Sequence, residues 1–388
     1  MGVIKKTFKE FSRMISESRI LMNIDLPKDI MDLSQIFKNS GKSLYLVGGA
    51  VRDAVLGKSP KDFDVATEAT PDEVIEMLKG KYKVMEVGKA FGVVVVITPE
   101  FPDGIEVATF RKDLGSGRRP EGVEFTNIET DVKRRDLTIN ALFYDIERRE
   151  VVDLVGGLSD LESGIVRTVG DPDQRLAEDP LRKLRVVRFA SRMGNAIDDK
   201  TRRSLERNND ISGVSRERIR DEFLKILTSA KSVDGAINML WDLGFMSQIF
   251  PDLEVNPNNS DSSVPLCCVS LLLRDNDPAE LSKKLNKLTY TIDEVQFISL
   301  LVSFQKLSVG TAYELKKRQY KLRDTIPSIR DFSEKTGMDQ KMVKAFLNYD
   351  ISVKGQDLLG LGLTGKELGE EMTRRETEIF AEILNKGF

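Results

Sequence analysis

The sequence predicts an α+β protein, a mixed α/β head followed by an all-helical remainder. Across the first 170 residues, short β-branched runs alternate with short helical patterns. Beyond about Asp171 strand signals nearly vanish and helical periodicity continues to the C-terminus. A chain of 388 residues, 40% of them hydrophobic, has ample material for cores and the length of roughly two to four domains.

In order along the head, Ser43–Val47 reads as a strand ending at Gly48-Gly49, and Ala50–Leu56 as a short helix closed by Gly57. Phe63–Ala66 is the next strand. Thr70-Pro71-Asp72-Glu73 is a capping box with Pro at the first helical position, so a helix runs from there to about Lys79. Strands are expected at Lys81–Val87, Gly92–Thr98 and Ile105–Phe110, and Lys112–Gly122 (KDLGSGRRPEG) is loop by composition. Helices follow at Pro180–Met193, Arg216–Thr228 and Val233–Leu243, with more beyond Asn256–Val264 (NPNNSDSSV), the clearest linker. The expected domains are 1–150, 151–254 and 255–388.

The chain has no histidine, which excludes Ser-His-Asp and Cys-His nucleophilic sites, His-ligated zinc and histidine-aspartate phosphohydrolase chemistry. Proton transfer must use carboxylates, Lys, Tyr, water or a metal-bound oxygen. The two cysteines, Cys267 and Cys268, are adjacent and cannot build a disulfide framework or a four-thiolate zinc site; they suit a reducing compartment. No apolar run reaches the roughly 18 residues of a membrane span. Residues 1–22 carry Glu10 and Glu17 and no apolar h-region, which argues against a signal peptide. A cytoplasmic protein is expected.

Asp62 and Asp64 flank Phe63 at a strand start, and alternation puts both side chains on one face, within reach of a shared divalent metal. Just upstream, strand–Gly48-Gly49–helix is a turn that lets backbone N–H groups approach a phosphate, and Arg52 is placed to reach the same anion. Alone, each feature is an ordinary surface pattern. Their conjunction within 17 residues, Gly48 to Asp64, points to a nucleotide site.

LVGGAVRDAVLGKSPKDFDVAT resembles the head motif of the class II tRNA nucleotidyltransferase and bacterial poly(A) polymerase family, a branch of the polymerase-β-like nucleotidyltransferases. RRDLTINALFYD (Arg134–Asp145) resembles the next motif, in which Arg134, Arg135 and Asn140 would lie near the triphosphate and sugar. GDPDQRLAEDPLRKLRVVRFASRMG (Gly170–Gly194) carries the neck pattern as Glu178, Asp179 and Arg182, and RERIRDEFLKIL (Arg216–Leu227) resembles the last shared block. The resemblance spans about residues 42–250; the remainder is similar only through DLLGLGLTGKELG.

This resemblance implies a polymerase-β-like head, a neck with a nucleotide-templating helix, and an RNA-binding body and tail. The implied reaction is attack of an RNA 3′-hydroxyl on the α-phosphate of CTP or ATP, with Mg2+ on Asp62 and Asp64. Glu106, in GIEVATFR, is the candidate third catalytic carboxylate. Gly48, Gly49 and Arg52 would hold the nucleotide with Arg134, Arg135 and Asn140. Asp179 and Arg182 would present hydrogen-bonding edges to the incoming base. Asp179 before Pro180 also reads simply as a helix cap. Arg182, Arg185, Arg188 and Arg192 share one helix face, and residues 182–220 hold twelve Lys and Arg against five Asp and Glu, a stripe suited to triphosphate and RNA backbone. Arg118 and Arg119 would lie in the loop that switches specificity from C to A. The expected activity is addition of C, C and A to tRNA. Poly(A) synthesis and CC-only or A-only addition are the alternatives.

Overall fold

The computed structural model describes residues 19–60, 62–114, 122–194 and 196–386. Residues 1–18, and with them most of the N-terminal segment read against a signal peptide, lie outside the described residues, as do Arg118 and Arg119. The chain divides into two compact units, Met1–Asn209 and Asp210–Phe388. The first includes both the expected head and the helix that starts after Asp179.

The first unit runs β1 (Arg19–Leu21), α1 (Lys28–Asn39), β2 (Tyr45–Val47), α2 (Gly49–Val55), β3 (Val65–Thr67), α3 (Pro71–Leu78), β4 (Lys83–Met85), β5 (Val93–Ile97) and β6 (Ile105–Thr109). It continues through β7 (Arg111–Leu114), β8 (Gly122–Phe125), β9 (Phe143–Asp145), β10 (Glu150–Val152), α4 (Gly157–Ser163), α5 (Pro172–Glu178), α6 (Leu181–Met193) and α7 (Asp199–Arg207). An eight-stranded sheet orders as β1-β10-β9-β2-β3-β6-β5-β4. Only the β3–β6 pair in it is parallel, with Val65 beside Val107. The capping box on α3 forms as read: Thr70 accepts from the Glu73 backbone and Glu73 from that of Thr70. Period-two burial in β5 and β6 buries Val94, Val96, Ile105 and Val107 and leaves Glu106 exposed. Tyr45, Phe110 and Phe143 form an aromatic wedge with ring centres 5.7 to 6.4 Å apart.

Two expectations are corrected. The Lys112–Gly122 segment is not wholly loop, because Lys112–Leu114 extend β7 and Gly122 opens β8, paired antiparallel. Arg111 and Asp113, two apart on one strand face, form an ion pair at 3.2 Å, and Phe125 packs over Gly92, where a Cβ would sit 2.9 Å from the ring. The Asn256–Val264 stretch is irregular but anchored rather than a free linker. Asn256 donates its N–H to the Leu272 carbonyl, Arg274 donates to the Asn258 carbonyl, and Ser260 is fully buried.

The second unit is helical: α8 (Arg216–Ser229), α9 (Val233–Asp242), α10 (Pro265–Leu272), α11 (Pro278–Lys287), α12 (Ile292–Phe304), α13 (Ala312–Gln319), α14 (Thr325–Lys335), α15 (Gln340–Asn348) and α16 (Gly365–Lys386). Leu271, Leu300, Phe304, Phe332, Phe346 and Phe380 anchor its core. The Glu376 carboxylate is fully buried in this unit and accepts from the Tyr349 hydroxyl and the Ser352 and Val353 N–H groups. No described helix is long and apolar enough to cross a membrane.

Candidate active site

Asp62 and Asp64 lie in the segment entering β3. Between them Phe63 meets Phe101 edge-on at 5.7 Å, and alternation carries both carboxylates to the other side, where both are exposed. Extending the parallel β3–β6 register back one residue from the Val65–Val107 pair sets Asp64 beside Glu106. None of the three carboxylates has a hydrogen-bond partner or counter-ion within bonding distance among the described residues. Solvent reaches Asp64, yet desolvation at its inner edge, then Glu106, then Asp62, push its carboxyl up to about 6, with Arg135 pulling the other way.

Crowded like charge facing solvent fits a hard divalent cation with oxygen ligands. Among the described residues, no three carboxylate or thiol side chains are gathered closely enough to enclose an ion by themselves.

Asp62 and Asp64 line a cleft of about 670 Å³ with Gly48, Gly49, Arg52, Arg135, Asn140 and Arg185, a volume typical of small-molecule sites, roughly 300–1,000 Å³. Gly48 has φ +66°, a backbone state that disfavours side chains. Arg52 is only 3% exposed. Its guanidinium donates to both Asp53 (2.8 Å) and the Asn140 Oδ1 (2.5 Å) and lies 5.0 Å from the Phe189 ring centre. Burial lowers its pKa while Asp53 opposes the shift. With Oδ1 turned to that guanidinium, the buried Asn140 Nδ2 is left as a donor with no acceptor.

Arg134 and Arg135 both grip the buried Asp131, at 2.8 and 3.1 Å, and Arg135 also stacks over Phe143 at 4.4 Å. Burial lowers the Arg135 pKa and Asp131 resists the change. Of this pair only Arg135 lines the cleft.

The arginine stripe of α6 is not a row of solvated charges. Arg182 pairs with Glu178 at 2.8 Å and donates to the Arg134 carbonyl. Arg185 holds Asp136 at 2.6 Å, and Arg192 holds Asp53 at 3.2 Å. Arg188 lies 4.7 Å from the Phe189 ring centre. Burial alone would raise the Asp136 pKa, but Arg185 reverses that and holds it below the ordinary carboxylate value. Arg185 and Arg192 line the cleft, whereas Arg182 and Arg188 do not.

Asp179 accepts the Leu181 N–H at 3.2 Å, just ahead of α6, so the capping reading describes one of its contacts. Glu106, Arg134 and Asp179 also lie outside the lining of the cleft. Lys58, Ser59, Asp136 and Phe189 line it without having been singled out in the sequence. Asp136 sits inside the RRD motif, and Phe189 is the one aromatic among the α6 arginines. Those positions were the available signals.

Residues 44–167 match the poly A polymerase head domain family, and residues 195–256 match the family described as the probable RNA and SrmB-binding site of polymerase A. The chain is 32% identical over 379 residues to the CCA-adding enzyme of Ligilactobacillus salivarius, covering 92% of this chain and 90% of that one. It is 34% identical over 263 residues to poly(A) polymerase I of Salmonella typhi, covering 64% and 55%. The CCA-adding enzyme of Bacillus stearothermophilus, solved in complex with CTP, superposes with a TM-score of 0.71 at 23% identity over 94% of both chains, a likeness of fold. A relative matched nearly end to end, on a head whose glycine turn and carboxylates meet in one cleft, places this chain in the family of CCA-adding enzymes and bacterial poly(A) polymerases.

Proposed function

We propose that this protein adds C, C and A to the 3′ end of tRNA from CTP and ATP, releasing pyrophosphate at each step. The observation that carries the reading is the cleft itself, lined together by Gly48 and Gly49, by Arg52, Arg135 and Arg185, and by Asp62 and Asp64. Asp62 and Asp64 would hold Mg2+, with Glu106 beside Asp64. Bound there, the ion supplies a lowered pKa for the RNA 3′-hydroxyl and neutralises charge on the phosphates.

The remaining work belongs to the chain. Arg135 and Arg185 would take the triphosphate oxygens, each already oriented by its own carboxylate, Asp131 or Asp136. Arg52 would position rather than bind, since it fixes the Asn140 amide so that Nδ2 donates to sugar or phosphate. Asp179 and Arg182 would read the base, an acceptor and a donor matched to C or A. Glu178 and the Arg134 carbonyl steady the Arg182 guanidinium.

Similarity favours CCA addition over poly(A) synthesis. The Ligilactobacillus CCA-adding enzyme aligns across 92% of the chain, whereas the Salmonella poly(A) polymerase aligns across 64%. The test is single-nucleotide extension of tRNAs ending at the discriminator base, at C and at CC, with each NTP separately. Ordered C, C, A addition that then stops is expected. Continued A addition to arbitrary RNA would replace this reading with poly(A) synthesis, and arrest after CC or after A alone would assign a partial activity.

A further inference from the structure

A second cavity, about 420 Å³, lies wholly within the helical unit between α11, α12 and the end of α13. Its polar lining is Ser282, Asn286, Gln296, Ser299, Arg318 and Lys321, and no acidic side chain contributes to it. Among the described residues, neither Arg318 nor Lys321 has a carboxylate within ion-pairing distance. Most described arginines are ion-paired, and Arg318 is among the minority that are not.

The hydrogen-bond directions show which donors are left over. Ser303 donates to the Ser299 carbonyl at 2.6 Å, so its oxygen is free to accept from Arg318, which it does at 2.9 Å. Ser282 donates to the Pro278 carbonyl, so the 2.7 Å contact between Ser282 and Ser299 uses the Ser299 proton. Both lining hydroxyls have therefore spent their hydrogens. A guanidinium carries five N–H donors, and Arg318 uses one. The Lys321 ammonium and the Asn286 and Gln296 amides have no partner among the described residues.

The cavity thus presents positive charge with no anionic group to match it, beside two amides that carry both donor and acceptor atoms. Arg318 is partly buried, and burial with no compensating carboxylate lowers its pKa. Desolvating a guanidinium without a counter-charge costs free energy that a bound anion would return. Beside these donors, Val295 and Leu322 add apolar wall, which suits a phosphate carried on an organic group rather than a bare halide.

We propose that this cavity is an oxyanion site that binds a phosphate group through Arg318 and Lys321, with Asn286 and Gln296 as neutral donors. The phosphate could belong to an RNA backbone, which rests on the tRNA reading above, or to a free phosphorylated small molecule, which does not.

The test uses the full chain and the variants Arg318→Met and Lys321→Met. The second keeps the question decidable should loss of the Ser303 contact impair folding, because Lys321 is exposed and its ammonium has no partner among the described residues. Inorganic pyrophosphate is titrated calorimetrically into each protein, and tRNA affinity is measured against salt concentration. For an RNA phosphate, each variant lowers the salt slope by about 1, with pyrophosphate heats unchanged. For a free phosphorylated ligand, each variant weakens one class of pyrophosphate sites at least tenfold, and the tRNA slope stays the same. Either result supports the site, and together they show that both sources use it. Pyrophosphate binding and tRNA salt slope both equal to wild type in the two variants would overturn it. If the wild-type protein adds no nucleotide to tRNA, the pyrophosphate titration still decides the question.

Discussion

Asp64→Asn is expected to stabilise the cation-free protein while abolishing its chemistry. The Asp64 carboxyl is raised from 3.8 to about 6 in the folded chain, by desolvation and by Glu106 and Asp62. A carboxyl with a folded pKa above its unfolded value binds more protons when native, so native stability falls as pH rises between the two values. The penalty is absent below about pH 4 and complete above about pH 6. Two units correspond to about 3 kcal/mol, and solvent access to this side chain reduces that to about 1–2 kcal/mol. No side-chain hydrogen bond of Asp64 is lost on substitution among the described residues, so little offsets the gain. Urea denaturation in EDTA at pH 7.5 should therefore show Asp64→Asn more stable by about 1–2 kcal/mol, with the difference vanishing at pH 4. Added Mg2+ should stabilise wild type and not the variant. Nucleotide incorporation should fall by about a thousandfold or more, since cation charge stabilisation amounts to several kcal/mol. A variant less stable than wild type at pH 7.5 in EDTA would refute the crowded-carboxylate argument.

Asp179→Asn retains a good helix cap but exchanges an acceptor for a donor, whereas Asp179→Ala loses both and should cost about 1 kcal/mol of stability. If Asp179 reads the base, both variants scramble CTP and ATP selectivity; unchanged selectivity in Asp179→Asn leaves only the cap. A Cβ at Gly157 would overlap the Thr138 carbonyl, so Gly157→Ala should lower stability by about 1–3 kcal/mol, measured by thermal or urea unfolding. Cys267 and Cys268 are fully buried and burial pushes both thiols up to about 12. A thiol reagent at pH 8 should therefore leave both unlabelled in native protein and label both in denaturant.

What could be read in the sequence is what depends on neighbours along the chain. The capping box at Thr70–Glu73 needs four residues, and the shared face of Asp62 and Asp64 needs only strand alternation. Glu106 required more, since its meeting with Asp64 depends on a parallel register between strands about forty residues apart. The β7–β8 hairpin was hidden because Arg111, Lys112 and Asp113 are all charged and the residues between the strands have loop composition. Asp131 and Asp136 escaped notice for a different reason. Beside Arg134 and Arg135 they look like alternating surface charge, and only the fold shows Asp131 buried under two guanidinium groups and Asp136 gripped by Arg185, 49 positions away.

Those ion pairs also join two readings of the α6 arginines that seemed to exclude each other. A solvated stripe and a phosphate-binding stripe both require free guanidinium groups, yet Arg182, Arg185 and Arg192 are each held by a carboxylate from before α6. Pairing does not remove Arg185 or Arg192 from the cleft; it fixes where their remaining donors lie, because a guanidinium has five and a carboxylate occupies two at most. On the proposed reading, an incoming triphosphate would meet arginines whose side-chain entropy is already spent. The same bonds tie α6 to the glycine-turn helix through Asp53 and to the RRD motif through Asp136. Loss of Asp136 would therefore disturb nucleotide affinity and the seating of the proposed templating helix together, although no base-reading group is touched.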